Sequence, residues 1–272
     1  MSDKAGRQAL LAYWIIRKKE TMKRLFFILA MILAVLQSPA QSRLTVAVAA
    51  NMQYTIKALI AAYNKTDKTR IDVVIGASGA LTQQIMHGAP FDIFVSADKD
   101  FPQKLAAANF TLEPPKVYAQ GILVLWSAKP GIHPAGDLKM LLAPGIRSIA
   151  IANPTTAPYG SAAEEILKKY RLYDKIAAKL VKGESITQTS QFIATQNADI
   201  GFTAKAIVIA AEMKGKGAWV ALNSKDYTPI EQSAALLKYA GGHDAAAARR
   251  FYNFLYSAAA KAIYQQFGYI VK

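Results

Sequence analysis

Four short stretches put small or polar residues where an apolar run gives way to amphipathic sequence. Asn51 follows Ala49-Ala50 at the end of the first such run, and Ser78 stands in Gly76-Ala77-Ser78-Gly79 at the end of the second. Tyr159-Gly160-Ser161 comes shortly after Asn153-Pro154, and Ser185-Ile186-Thr187 precedes a stretch running to Ala194. Each reads as the start of a helix. The first turn of a helix carries N–H groups without intrahelical acceptors and a partial positive charge. Several such ends aimed at one point can hold an anion with no charged side chain. Taken singly, Asn51, Ser78 and Ser161 read equally well as ordinary N-caps. The anion chemistry follows only if the four junctions converge.

Other chemistries are poorly served. The chain has no cysteine, which excludes disulfides, thiol nucleophiles and thiolate metal sites. His87, His133 and His243 show neither H-x-x-x-H nor H-E-x-x-H spacing, so no histidine metal site is expected. There is no G-x-S-x-G elbow, P-loop or G-x-G-x-x-G, and the acidic residues form no obvious pair. The residues therefore point away from an enzyme: no catalytic residue, no cofactor and no metal coordinated directly by side chains.

The junctions need strands to carry them. Residues 43–50 (RLTVAVAA) read as a strand, and 51–63 as a helix with Met52, Ile56, Leu59, Ile60 and Tyr63 on one face. Residues 70–76 and 92–96 read as strands flanking a helix over 79–87, and Asp100 with Pro102 marks the start of another helix. The same grammar resumes with strands at 121–126, 148–151, 199–202 and 219–222, and helices at 161–170, 187–194 and 204–213. After 233–237 the chain closes with helical sequence over 244–267. This alternation predicts an α/β protein with parallel, doubly wound sheets. Its length suits two lobes better than one, and strand C-termini facing a crevice are where ligands bind in such sheets.

The N-terminus supplies the compartment. Lys23 and Arg24 precede twelve uninterrupted apolar residues, 25–36, and Ser38 and Ala40 then occupy the small-residue places of a cleavage site. This is the secretory signal pattern. Twelve helical residues rise only about 18 Å, too little for a hydrocarbon core of roughly 30 Å. Residues 1–40 are thus expected to be an N-terminal extension and a cleavable signal peptide, with Met1 or Met22 as the start. They hold seven of the 33 basic and two of the 18 acidic residues, leaving 26 against 16 and a net charge of +10. Those charges are scattered, with no basic stripe interleaved with aromatics, so no nucleic-acid partner is expected.

Several segments together resemble the periplasmic molybdate-binding proteins, the solute-binding components of molybdate ABC transporters. They are RLTVAVAANMQ (43–53), GASGALTQQIMHGAPFDIFVSAD (76–98), IAIANPTTAPYGSAAEEIL (149–167) and FYNFLYSAAAKAIYQQFGYIVK (251–272). The resemblance covers essentially the whole chain after residue 40, in order. It implies the two-lobed type II periplasmic binding protein fold, with a ligand cleft between lobes and two chain crossings. By analogy, one lobe is 41–119 plus 234–272 and the other 120–233. It implies capture of molybdate or tungstate in the periplasm, delivery to a permease and ATPase complex, and a monomer. The oxyanion contacts carry over onto Ala50, Asn51, Ser78, Tyr159 and Ile186, and molybdenum would be held only as molybdate. Some relatives use a tyrosine hydroxyl after the segment matching Gly201-Phe202-Thr203, where this chain has Ala204; Tyr159 is the position that would supply it instead. Asp98 belongs to the motif but reads as a structural residue near a helix start. A sulfate or other anion binder, a ferric-ion binder and an enzyme on the same fold are the alternatives. The chain has 13 tyrosines and no adjacent pair of them for ferric ion.

Overall fold

The apolar run after residue 42 forms strand β1 (Arg43–Ala49), in which Leu44, Val46 and Val48 face one layer of core and Ala47 the other. Both faces of the strand are covered, so it reads as an apolar run rather than an alternation. The computed structural model describes residues 13–14, 17–23, 25, 42–242 and 244–271. The expected signal segment lies outside these, apart from isolated positions. The fold is that of the compact unit Ser42–Lys272.

Helix α1 (Thr55–Tyr63) buries Ile56, Leu59 and Tyr63 and returns the chain to β2 (Arg70–Gly76), parallel to β1. Helix α2 (Ser78–Met86) stops at His87, followed by Gly88 at φ +88°, a left-handed position that suits glycine at a helix end. Strand β3 (Ile93–Val95) pairs in parallel with β1, and α3 (Asp100–Ala107) leads to β4 (Lys116–Gly121). One residue later the chain enters a second sheet as β5 (Leu123–Ser127). That sheet contains β6 (Ile149–Ala152), β7 (Leu180–Gly183), β8 (Ile200–Ala204) and β9 (Ala218–Ala221) in the order β7-β6-β8-β5-β9. Helix α4 (Pro158–Lys169) follows β6, and α5 (Ile186–Ala194) follows β7. The chain then returns as β10 (Ile230–Leu236), which inserts between β3 and β4 to complete the order β2-β1-β3-β10-β4. Helices α6 (Ala245–Phe254) and α7 (Ala258–Gln266) pack Phe251, Tyr252 and Tyr264 against this first sheet. Each such fully buried large side chain contributes on the order of 1.5–3 kcal/mol.

The α/β layering matches the sequence, but the sheets are mixed rather than parallel. β10 runs antiparallel to β3 and β4, and β5 runs antiparallel to β8 and β9. The antiparallel members are those that enter or leave a sheet at the crossings. Four elements also differ in extent. The region 116–126 holds two strands in different sheets, and β7 lies where none was expected. The helix expected over 204–213 is one turn, Lys205–Val208, and a separate 3-10 turn, Ala211–Met213. The closing helical stretch breaks where the Ser257 hydroxyl caps α7 by accepting from the Ala260 N–H. Residues 119/120 and 233/234, the expected lobe boundaries, fall inside β4 and β10, which pair with each other.

Candidate functional site

Each of the five residues singled out for anion contact sits where a strand ends. Ala50 and Asn51 open a 3-10 turn, Ala50–Met52, directly after β1. Ser78 is the first residue of α2, with Ala77 still extended before it. Tyr159 is the second residue of α4, behind Pro158, whose fixed φ and missing N–H suit the first helical position. Ile186 is the first residue of α5, whose N-cap Ser185 accepts from the Gln188 N–H. All five line one cavity of about 200 Å³, its open mouth included. Ala49, Ala77, Ala97, Ala157 and Pro158 complete the wall, so no charged side chain lines it. Ser161, which also marked a helix start, is exposed and lies outside this cavity.

Contacts tie the wall together across the two sheets. The Ser78 hydroxyl oxygen accepts from the Ala97 N–H at 3.0 Å, which leaves its own proton to donate. The next N–H in α2, that of Gly79, donates to the Thr156 carbonyl at 2.9 Å. A Cβ on Gly79 would stand 2.9 Å from Thr156 Cα, so this approach needs glycine. The Thr187 hydroxyl has two acceptors on the opposite wall, the Gln53 Oε1 at 3.0 Å and the Ala50 carbonyl at 3.3 Å.

A buried network of amides and phenols lies behind the wall. Asn51 Nδ2 donates to Gln232 Oε1 at 2.9 Å and to the Tyr269 hydroxyl at 3.0 Å. Its amide hydrogens are thereby occupied, and Asn51 Oδ1 has no partner among the described residues. Gln232 Nε2 donates to the Tyr159 hydroxyl oxygen at 2.9 Å, and the Tyr118 hydroxyl lies 3.0 Å from Gln232 Oε1. Burial pushes the Tyr159 phenol well above its ordinary range, nearby Tyr269 and Tyr227 add to this, and Gln232 and Asn51 oppose it. Tyr159 is thus a neutral proton donor throughout the physiological pH range. Asp98 stays out of the cavity lining. Its Oδ1 accepts from the Phe101 N–H and the Ser96 hydroxyl, the structural role read from its place before a helix.

Ala97 and the network of Gln232, Tyr118 and Tyr269 were not singled out from the sequence. Ala97 sat in view between Ser96 and Asp98, but an alanine advertises no chemistry until its N–H is seen on Ser78. Gln232 precedes the apolar run 233–237, and only its neighbours in space give it a role.

The chain matches the family model described as bacterial extracellular solute-binding protein over residues 44–270. It is 36% identical over 245 residues to the molybdate-binding protein ModA of Rhodobacter capsulatus, covering 90% of this chain and 94% of that one. It is 37% identical over 226 residues to ModA of Azotobacter vinelandii, covering 82% and 88%. The solved periplasmic molybdate-binding protein of Azotobacter vinelandii superposes with a TM-score of 0.79 at 36% identity, covering 84% of this chain and 99% of that one. The fold is the two-lobed one of these proteins. By sequence and by fold, the chain belongs to the bacterial extracellular solute-binding proteins, among the molybdate-binding members of that family.

Proposed function

We propose that the protein captures molybdate or tungstate outside the cytoplasmic membrane and delivers it to the permease and ATPase of an ABC importer. The observation that carries this is the cavity itself: five residues from four strand ends converge on a small space with no charged lining. Molybdate, tungstate and sulfate carry four acceptor oxygens and no proton near neutrality, so a site made only of donors suits them. Phosphate keeps a proton and wants a carboxylate acceptor, which this wall lacks. The donors are the backbone N–H groups at Ala50, Asn51 and Ile186, the Ser78 N–H and hydroxyl, and the Tyr159 hydroxyl. Asn51 acts through its backbone, because its amide hydrogens serve Gln232 and Tyr269.

In this reading the two sheets are the cores of two lobes, one close to 41–119 with 234–272 and the other close to 120–233, with the crossings at the ends of β4 and β10. The chain acts as a monomeric binding protein rather than an enzyme. Residues 1–40 direct export to the periplasm and are removed. A calorimetric screen of the purified protein against molybdate, tungstate, sulfate, phosphate and ferric citrate tests it. Molybdate and tungstate should bind at least about tenfold more tightly than the others, a difference of about 1.4 kcal/mol. Equal or tighter binding of sulfate, phosphate or ferric ion would refute the assignment.

A further inference from the structure

The Tyr159 hydroxyl meets the chain at an unusual place. It lies against Gly121, at the end of β4, where an added Cβ would stand 2.0 Å from the hydroxyl oxygen and 2.5 Å from Gln232 Nε2. The space beside Gly121 is taken by this one hydrogen bond. Gln232 itself is fully buried on β10 and does not line the cavity. The register of β10 against β4 shifts between Gln232 and Ser233. Such a bulge re-aims a side chain relative to a regular strand. A glycine on one crossing strand and a bulge on the other thus serve a single contact, between the returning strand of the first sheet and the helix start that carries Tyr159.

We infer that Gln232 is a positioning residue for the anion site: its amide N–H fills the acceptor side of the Tyr159 hydroxyl, so that the hydroxyl's only proton is offered to the oxyanion. This rests on the oxyanion reading given above. A phenol has one proton and can accept as well as donate. Gln232 Oε1 receives Asn51 Nδ2 at 2.9 Å and faces the Tyr118 hydroxyl at 3.0 Å, so the N–H end of the amide is the end left for Tyr159. Turned the other way, the amide would take the Tyr159 proton and withhold it from the ligand. Among the described residues no protein group accepts that proton. Donation into the phenol oxygen also polarises the O–H bond and strengthens it as a donor. Gln232 lies outside the cavity lining, and of its two contacts with site residues, to the Asn51 amide and to the Tyr159 hydroxyl, its effect on binding is assigned to the second.

A double-mutant cycle on molybdate affinity, read by calorimetry, isolates this role. The four proteins are the unsubstituted chain, Gln232→Met, Tyr159→Phe and the double variant. Methionine keeps the length and flexibility of the glutamine side chain without its hydrogen bonds. Each single substitution should weaken binding by about tenfold or more, the effect of losing one hydrogen bond to a charged acceptor. The double variant should bind no more weakly than Tyr159→Phe, because Gln232 has nothing to position once the hydroxyl is gone. Additive losses, or unchanged affinity in Gln232→Met, would overturn the inference, since a merely structural role persists in the phenylalanine background. If Gln232→Met does not fold, Gln232→Asn, shorter by one methylene, carries the same cycle with the same two outcomes. Absence of molybdate binding by the unsubstituted protein would overturn the oxyanion reading and this inference with it. Normal binding with additive losses overturns the positioning role alone.

Discussion

Ser78 concentrates the logic of the site in the smallest hydroxyl side chain available. Its oxygen accepts from the Ala97 N–H, its proton is free for a ligand, and its backbone N–H is the first of α2 and has no intrahelical acceptor. Ser78→Ala removes a donor to a charged acceptor, which typically contributes about 1.5–3 kcal/mol, and should weaken molybdate binding ten- to a hundredfold on the order set by that energy. Ser78→Asp should abolish binding, because it sets a carboxylate against a dianion in the same small cavity. Titration calorimetry on the two variants, with circular dichroism to establish that they are folded, reads both effects. Normal affinity in a folded Ser78→Asp protein would move the site elsewhere.

At the scale of elements, α2 does two things with its first turn: it faces the cavity and it abuts the opposite wall at Thr156. Gly79 is where these meet. An alanine there suits an isolated helix better, by about 1 kcal/mol, but its Cβ would press on Thr156 Cα and on the Phe101 ring, each at 2.9 Å. Gly79→Ala should therefore lose that helix gain to the clash, leaving the melting temperature of the protein unchanged or lower, while weakening molybdate binding about tenfold or more. Unchanged affinity in a folded variant would mean that the site forms without this contact. Such junctions were legible because their signals are local: Ala49-Ala50-Asn51, Gly76-Ala77-Ser78-Gly79 and Ser185-Ile186-Thr187 each mark a turn from strand to helix within a few residues. The apolar run that placed β1 and the helical spacing that placed α1 were local too. Strand β4 was not legible, because its sequence KVYAQG mixes exposed and buried positions at the point where the chain leaves the sheet. Gln232 was not legible either. Its partners Asn51 and Tyr159 are 181 and 73 residues away, and a buried amide has no sequence pattern of its own.

The whole molecule carries its charge outside the site. The net charge of +10 beyond residue 40 is spread along the chain, so under the proposed function it would bias anion encounter and leave selection to the uncharged cavity. One group beside the cleft makes folding sensitive to pH. Burial holds the Asp98 carboxyl up at about 6; the Phe101 N–H and the Ser96 hydroxyl oppose it, and Asp100 adds to it. An unfolded aspartate titrates near ~3.9. Between those values the folded protein keeps a proton that the unfolded chain has released, so stability falls as pH rises from about 4 through about 6. Asp98→Asn keeps an acceptor for Phe101 without that titration. Relative to the unsubstituted protein, its urea midpoint should rise above about pH 6 and show no such gain below about pH 4. An offset independent of pH would contradict this account of Asp98. The central claim is about place: an oxyanion held by donors alone, between two lobes. Anomalous scattering at the molybdenum edge from crystals grown with molybdate tests it most directly. The account predicts one peak inside the cavity bounded by Asn51, Ser78, Tyr159 and Ile186, with anion oxygens on N–H and O–H groups and no carboxylate in contact. A peak elsewhere, or one coordinated by Asp or Glu side chains, would contradict it.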